Sequence, residues 1–133
     1  MRVVLATNVL VSGVFFPGIP CRVLEAWRDG RAIVVLSAEI LEEYRRVGER
    51  LATDFSGVSL EPFLKLLLVE AEIVDAPPLP EPVCTDADDD KFLACALAGH
   101  CELVVSGDRA LLNTSGYRGI EVVTPRAFVE TRL

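Results

Sequence analysis

The sequence predicts an α/β fold with three layers, α/β/α, around a central parallel sheet. Two observations carry this. Short apolar runs alternate with longer amphipathic segments along the 133 residues. Those runs also stay apolar from residue to residue, as strands buried on both faces do, whereas half-exposed strands alternate in polarity. A length of 133 residues with 51% hydrophobic and 25% charged residues suits one domain with a sizeable core.

The elements follow in order. Arg2–Leu5 reads as a buried strand, and residues 8–16 as a helix through Val9, Leu10 and Gly13. Residues 16–20 read as a loop from their Pro and Gly content. Residues 22–29 form a helix stopped by Gly30, and 32–36 a second strand. Ser37 is an N-cap for a helix over 38–51, with Ile40, Leu41, Tyr44, Val47 and Leu51 as its apolar stripe and Gly48 as a weak point. Residues 53–58 suggest a turn, 60–70 an apolar helix, 73–74 a short strand and 76–82, with four prolines, an extended surface loop. A helix with an acidic start covers 86–98. A strand at 102–105, a short helix at 109–112, a strand at 120–123 and a helix opened by Thr124-Pro125 complete the chain. There is no repeat and no linker, so residues 1–133 read as a single domain.

Several function classes are excluded. A net charge of −7 argues against coating nucleic acid by bulk charge, although a bound metal would invert the local field. Phosphate-cradle and dinucleotide glycine patterns are absent, as is a nucleophile elbow. The cysteines at 21, 84, 95 and 101 show no C-x-x-C spacing and read as reduced thiols. His100, after Gly99, reads as part of a helix C-terminal cap. The start resembles a strand rather than a secretory leader, and no apolar run is long enough for a membrane span, so a cytoplasmic location is expected.

The chemistry lies in the carboxylates. Asp86, Asp88, Asp89 and Asp90 crowd one helix start, and Asp108 follows the next strand. In open α/β sheets, sites form beyond the C-terminal ends of strands. Asn8 and Asp108 are both placed there. Asp86 and Asp89, three apart, are expected on one helix face, with Asp89 over the sheet beside Phe92, Leu93 and Ala96. Carboxylates that converge call for a hard cation. Each piece also has a plain structural reading. Acids in a first turn offset the helix dipole, and Asp86 can cap the amide of residue 89. Glu42 and Glu43 can pair with Arg45 and Arg46 at the surface, and Ser106-Gly107-Asp108 can be a capped turn.

The residues that bear this chemistry resemble the PIN-domain family over nearly the whole chain. The opening Val3-Val-Leu-Ala-Thr-Asn-Val-Leu is similar to a family start that reads Asp-Thr-Asn-Val-Leu. Leu36-Ser-Ala-Glu-Ile-Leu-Glu-Glu-Tyr, Asp86-x-x-Asp-Asp-Lys-Phe-Leu and Val105-Ser-Gly-Asp-Arg-Ala-Leu-Leu resemble its later motifs, and Gly119-Ile-Glu-Val-Val-Thr-Pro-Arg-Ala-Phe resembles the close of PIN-type toxins. The resemblance implies a magnesium- or manganese-dependent endoribonuclease, the VapC-like toxin of a toxin–antitoxin pair. It implies an RNA substrate, an antitoxin protein partner and a homodimer, for which helix 60–70 offers a surface. It also implies Glu43, Asp89 and Asp108 as catalytic metal ligands. Glu42 rivals Glu43, Asp86 and Asp90 are second choices beside Asp89, and Asn8 and Ser106 orient ligands or water. Arg45, Arg46, Lys91 and Arg109 are candidate phosphate contacts.

Position 6 departs from the pattern. The family's first catalytic aspartate is here Ala6, and a further frequent Asp is Ala110. Cleavage is therefore expected to be weakened or lost. The change is an introduced silencing substitution, the mark of a natural pseudo-enzyme, or a state in which the remaining acids serve one metal. The alternative function is a non-catalytic module that keeps the fold and binds an antitoxin-like partner.

Overall fold

The computed structural model describes residues 1–55, 57 and 59–133. Five strands, β1 (Arg2–Leu5), β2 (Ile33–Leu36), β3 (Glu72–Ile73), β4 (Leu103–Val105) and β5 (Glu121–Val123), form one sheet in the order β3-β2-β1-β4-β5. Every pairing is parallel, with Val3 opposite both Val34 and Leu103. The helices are α1 (Thr7–Phe15), α2 (Ile19–Arg28), α3 (Ala38–Asp54), α4 (Glu61–Glu70), α5 (Asp90–Ala98), α6 (Arg109–Leu112) and α7 (Pro125–Arg132). This is the predicted order of elements. After β1 the chain builds outward on one side through β2 and β3, then returns to place β4 on the other side of β1. The strand order therefore reverses between β1 and β4, where an open parallel sheet leaves a crevice at its C-terminal edge.

The central strands are apolar for a physical reason. Val3, Val4, Leu5, Val34, Val35, Leu36, Leu103, Val104 and Val105 are all buried, and they join Leu10, Ile40, Tyr44, Leu93 and Phe128 in one core. Fully burying each such side chain contributes roughly 1.5–3 kcal/mol. Ser37 caps α3 by accepting from the Ile40 N–H at 3.3 Å, and Thr124 caps α7 by accepting from the Ala127 N–H at 3.0 Å.

Some boundaries differ from the sequence reading. Ile19 and Pro20 belong to the first turn of α2, where a proline costs no helical hydrogen bond. The expected turn over 53–58 starts later, because α3 continues to Asp54; Ser56 and Val58 lie outside the described residues. Gly48, read as a weak point, allows close packing: a Cβ there would stand 2.9 Å from Leu60 Cβ. The acidic start is not one α-helix. Residues Ala87–Asp89 form a 3-10 turn and α5 begins at Asp90. At the other end of α5, His100 takes the left-handed conformation (φ 54°) and its backbone N–H donates to Leu97 O at 3.3 Å. The expected cap is thus made by backbone. Gly99 beside it is small because a Cβ would meet Val35 Cγ1 at 2.7 Å.

Among the described residues, no single helix is long and apolar enough to cross a membrane. The four cysteines are free. Burial raises the thiol pKa of Cys84 and Cys95 to about 12 and of Cys101 to about 11, which suits unreactive packing groups.

Candidate active site

The C-terminal ends of β1 and β4 define the site. Ala6 follows β1, is buried, and donates its N–H to Val105 O at 2.9 Å. It is the N-cap residue of α1 and has no side chain to cap with. Thr7 next to it is also buried, and its hydroxyl donates to Glu43 Oε2 on α3. Tyr44, the neighbour of Glu43, is fully buried and donates its hydroxyl to Leu5 O. That bond ties α3 to the end of β1 and so positions Glu43. Burial raises the Tyr44 pKa, keeping it a neutral donor.

On the other strand, Ser106 is buried and its Oγ accepts the Asp108 N–H at 3.0 Å. Asp108 in turn caps α6, accepting from the Ala110 N–H at 3.4 Å. Asp89 comes from the 3-10 turn before α5, close enough to Asp108 for the two carboxyls to act on each other. Burial first, then the charges of Asp108 and Asp86, push the Asp89 pKa up to about 6. Two half-buried carboxylates therefore meet and repel.

Lys91 lies between two further acids, Glu43 and Asp88. Its ammonium pairs with Glu43 Oε1, and with Asp88 Oδ1 at 3.0 Å. Burial opposes the charged form, but the hydrogen bonds and charges of Glu43 and Asp88 outweigh it and raise the Lys91 pKa. The same Lys91 hydrogen bond lowers the pKa of Asp88. Beside Lys91 a cavity of about 600 Å³ opens between α3, α5 and the proline-rich loop, with Glu39, Arg46, Pro78, Leu79, Asp88 and Lys91 on its wall.

The other candidates are placed elsewhere. Glu42 is exposed and pairs with Arg45, which also reaches Glu49; all three lie on the solvent side of α3. Asp86 is exposed, and its Oδ1 accepts the Asp88 N–H at 2.9 Å, not that of residue 89. Its charge still acts on Asp89, three residues on in the 3-10 turn. Asp90 faces the preceding loop and accepts from the Val83 N–H at 3.3 Å and the Cys84 N–H at 2.7 Å. Asn8 and Arg109 are exposed. Sequence reasoning missed Thr7. Its signal was adjacency to Ala6 at a strand end with the following helix already begun.

A PIN-domain family model matches residues 2–110. The chain belongs to the PIN domain family. No curated protein matches it at a significant level. Among solved structures it is similar to VapBC2 from Rickettsia felis, bound in that crystal to a DNA fragment from the promoter. The TM-score is 0.59 at 15% identity, covering 93% of this chain and 98% of the other. That likeness covers more of the chain than residues 2–110, so the shared fold is not confined to the segment that the family model matches.

Proposed function

We propose that this PIN domain is a metal-dependent endoribonuclease of the toxin type, weakened by Ala6, that is held in check by an antitoxin-like protein. The observation that carries the reading is the approach of Asp89 to Asp108 at the strand-order reversal, where among the described residues neither carboxylate has an ion-pair partner. Membership of the PIN family and the likeness to a VapBC toxin–antitoxin structure support it.

Part of the expected ligand set fits a magnesium or manganese ion. Magnesium usually takes one or two carboxylates and keeps several waters, which matches the Asp89–Asp108 pair. The full set of three does not fit. Among the described residues, no group of three or more His, Cys, Asp and Glu could hold a metal. The Ala6 side chain offers no oxygen, and both oxygens of Glu43 are engaged by Thr7 and Lys91. A divalent cation, when bound, supplies Lewis-acid polarisation of a phosphoryl oxygen and a lowered pKa for its water. The chain contributes the rest. Asp89 and Asp108 hold the cation, and Ser106 fixes the turn that aims Asp108. Arg46 is the candidate phosphate contact on the wall of the neighbouring cavity, since the Lys91 ammonium there is already shared by Glu43 and Asp88.

The test is Ala6→Asp. With manganese, the variant is expected to cleave single-stranded or looped RNA at least tenfold faster than the unaltered chain, and adding Asp89→Asn is expected to abolish cleavage. A well-folded Ala6→Asp protein that stays inert on varied RNAs defeats the reading. The absent carboxylate at position 6 favours a second reading, a non-catalytic module that binds an antitoxin-like partner. It predicts no manganese binding by calorimetry in either form, with partner binding intact. In either reading α4 offers the surface for a second copy, since Leu66, Leu68 and Val69 are exposed.

A further inference from the structure

The acids near the strand ends fall into two groups that differ in how their charge is balanced. Glu43 and Asp88 share the Lys91 ammonium, whereas among the described residues Asp89 and Asp108 have no ion-pair partner. The first group is built. The Lys91 and Glu43 side chains are only 13% and 16% exposed, and the second Glu43 oxygen is taken by the buried Thr7 hydroxyl. Lys91 stands in the first turn of α5, which packs against α3, and its ammonium also lies 5.7 Å from the Phe92 ring centroid. Its reach is thus set by the contact of two helices, not by a mobile surface stem.

We propose that Lys91 is a built-in counter-ion for Glu43. It withdraws Glu43 from the cation-binding set and leaves Asp89 and Asp108 as the protein's whole contribution to one cation. This rests on reading Asp89 and Asp108 as a cation site. A fixed ammonium and a divalent cation compete for the same carboxylate, and the ammonium has the advantage of permanent attachment. Removing it should leave Glu43 buried and unbalanced until a metal replaces it.

Two experiments on the full chain test this, and the first needs no metal. In chelator, Lys91→Met is expected to lower Tm by several degrees, and adding Glu43→Gln to restore at least half of the loss. If the single variant does not fold, folding of the double variant is the same supporting result. An unchanged Tm, or a loss that Glu43→Gln deepens, overturns the proposal, because Lys91 then serves packing alone. The second experiment titrates manganese by calorimetry. Glu43→Gln in the unaltered chain is expected to change affinity less than twofold. Lys91→Met is expected to raise affinity at least tenfold, and Glu43→Gln in that background to cancel the gain. A tenfold loss from Glu43→Gln alone overturns the proposal. Asp89→Asn separates the two readings. If it leaves manganese binding unchanged, the cation site of the proposed function fails, while the chelator experiment still decides the role of Lys91.

Discussion

The ends of β1 and β4 are alike in backbone and opposite in chemistry. Both strands are buried and parallel, and each leads through a short connection into a helix at the crevice of the sheet. The residue after each strand donates its N–H to the next strand over, Ala6 to Val105 O and Ser106 to Val123 O, each at 2.9 Å. Yet β4 leads to a carboxylate that caps its helix, and β1 leads to a methyl group that caps nothing. The scaffold of the site is thus independent of its charge. Backbone pairing and core packing set the geometry, so a carboxylate can be absent without any change in architecture. The charge pattern decides what the geometry can bind.

Making β1 resemble β4 is the sharpest way to break this comparison. Ala6→Asp gains a helix cap, about 1 kcal/mol, but adds a negative charge near Asp89 and Asp108. A like-charge contact at about 4 Å costs roughly 4 kcal/mol at an effective dielectric near 20. In chelator at pH 8 the variant is therefore expected to be less stable by about 2 kcal/mol, allowing for a longer separation. At pH 5, where Asp89 is largely protonated, the loss should shrink or reverse. Denaturant titrations at the two pH values measure this. Tyr44→Phe attacks the support of the β1 end without touching charge. It leaves the buried Leu5 carbonyl unpaired and is expected to cost about 1.5 kcal/mol at any pH.

The smallest effect should come from the β4 side. The folded-state pKa of Asp89 is raised to about 6, above the ordinary value near 3.9. The folded protein therefore holds an extra proton between these values. Stability is fully favoured below about pH 4 and falls as pH rises through 6. Asp89→Asn removes that fall. It should stabilise the metal-free protein by about 1 kcal/mol at pH 8, a figure reduced for the solvent exposure of Asp89, with no gain near pH 4. Thermal melts across pH 4–8 in chelator check it.

The sheet and helix order were legible because apolar runs are bounded by caps that the chain states locally, such as Ser37 and Thr124. The approach of Asp89 to Asp108 was legible from strand-end placement. The ion pair of Glu43 with Lys91 was not. The partners are far apart in sequence, and only the packing of α3 on α5 brings them together. Glu42 and Glu43 are indistinguishable by spacing to within one helical step, and the bond from Tyr44 to Leu5 decides which faces inward. The 3-10 turn escaped for a related reason: four acids within five residues satisfy a helix start of either pitch.

The position of β1 at the middle of the sheet bears on how the protein is made. Its partner β4 lies about a hundred residues downstream, with Val3 opposite Leu103. During synthesis the β4-facing edge of β1 has no partner until residues 103–105 have emerged. Non-local parallel pairing of this kind is slow. Asp89 and Asp108 flank β4 in the chain, so the crevice takes shape only when β4 has joined the sheet.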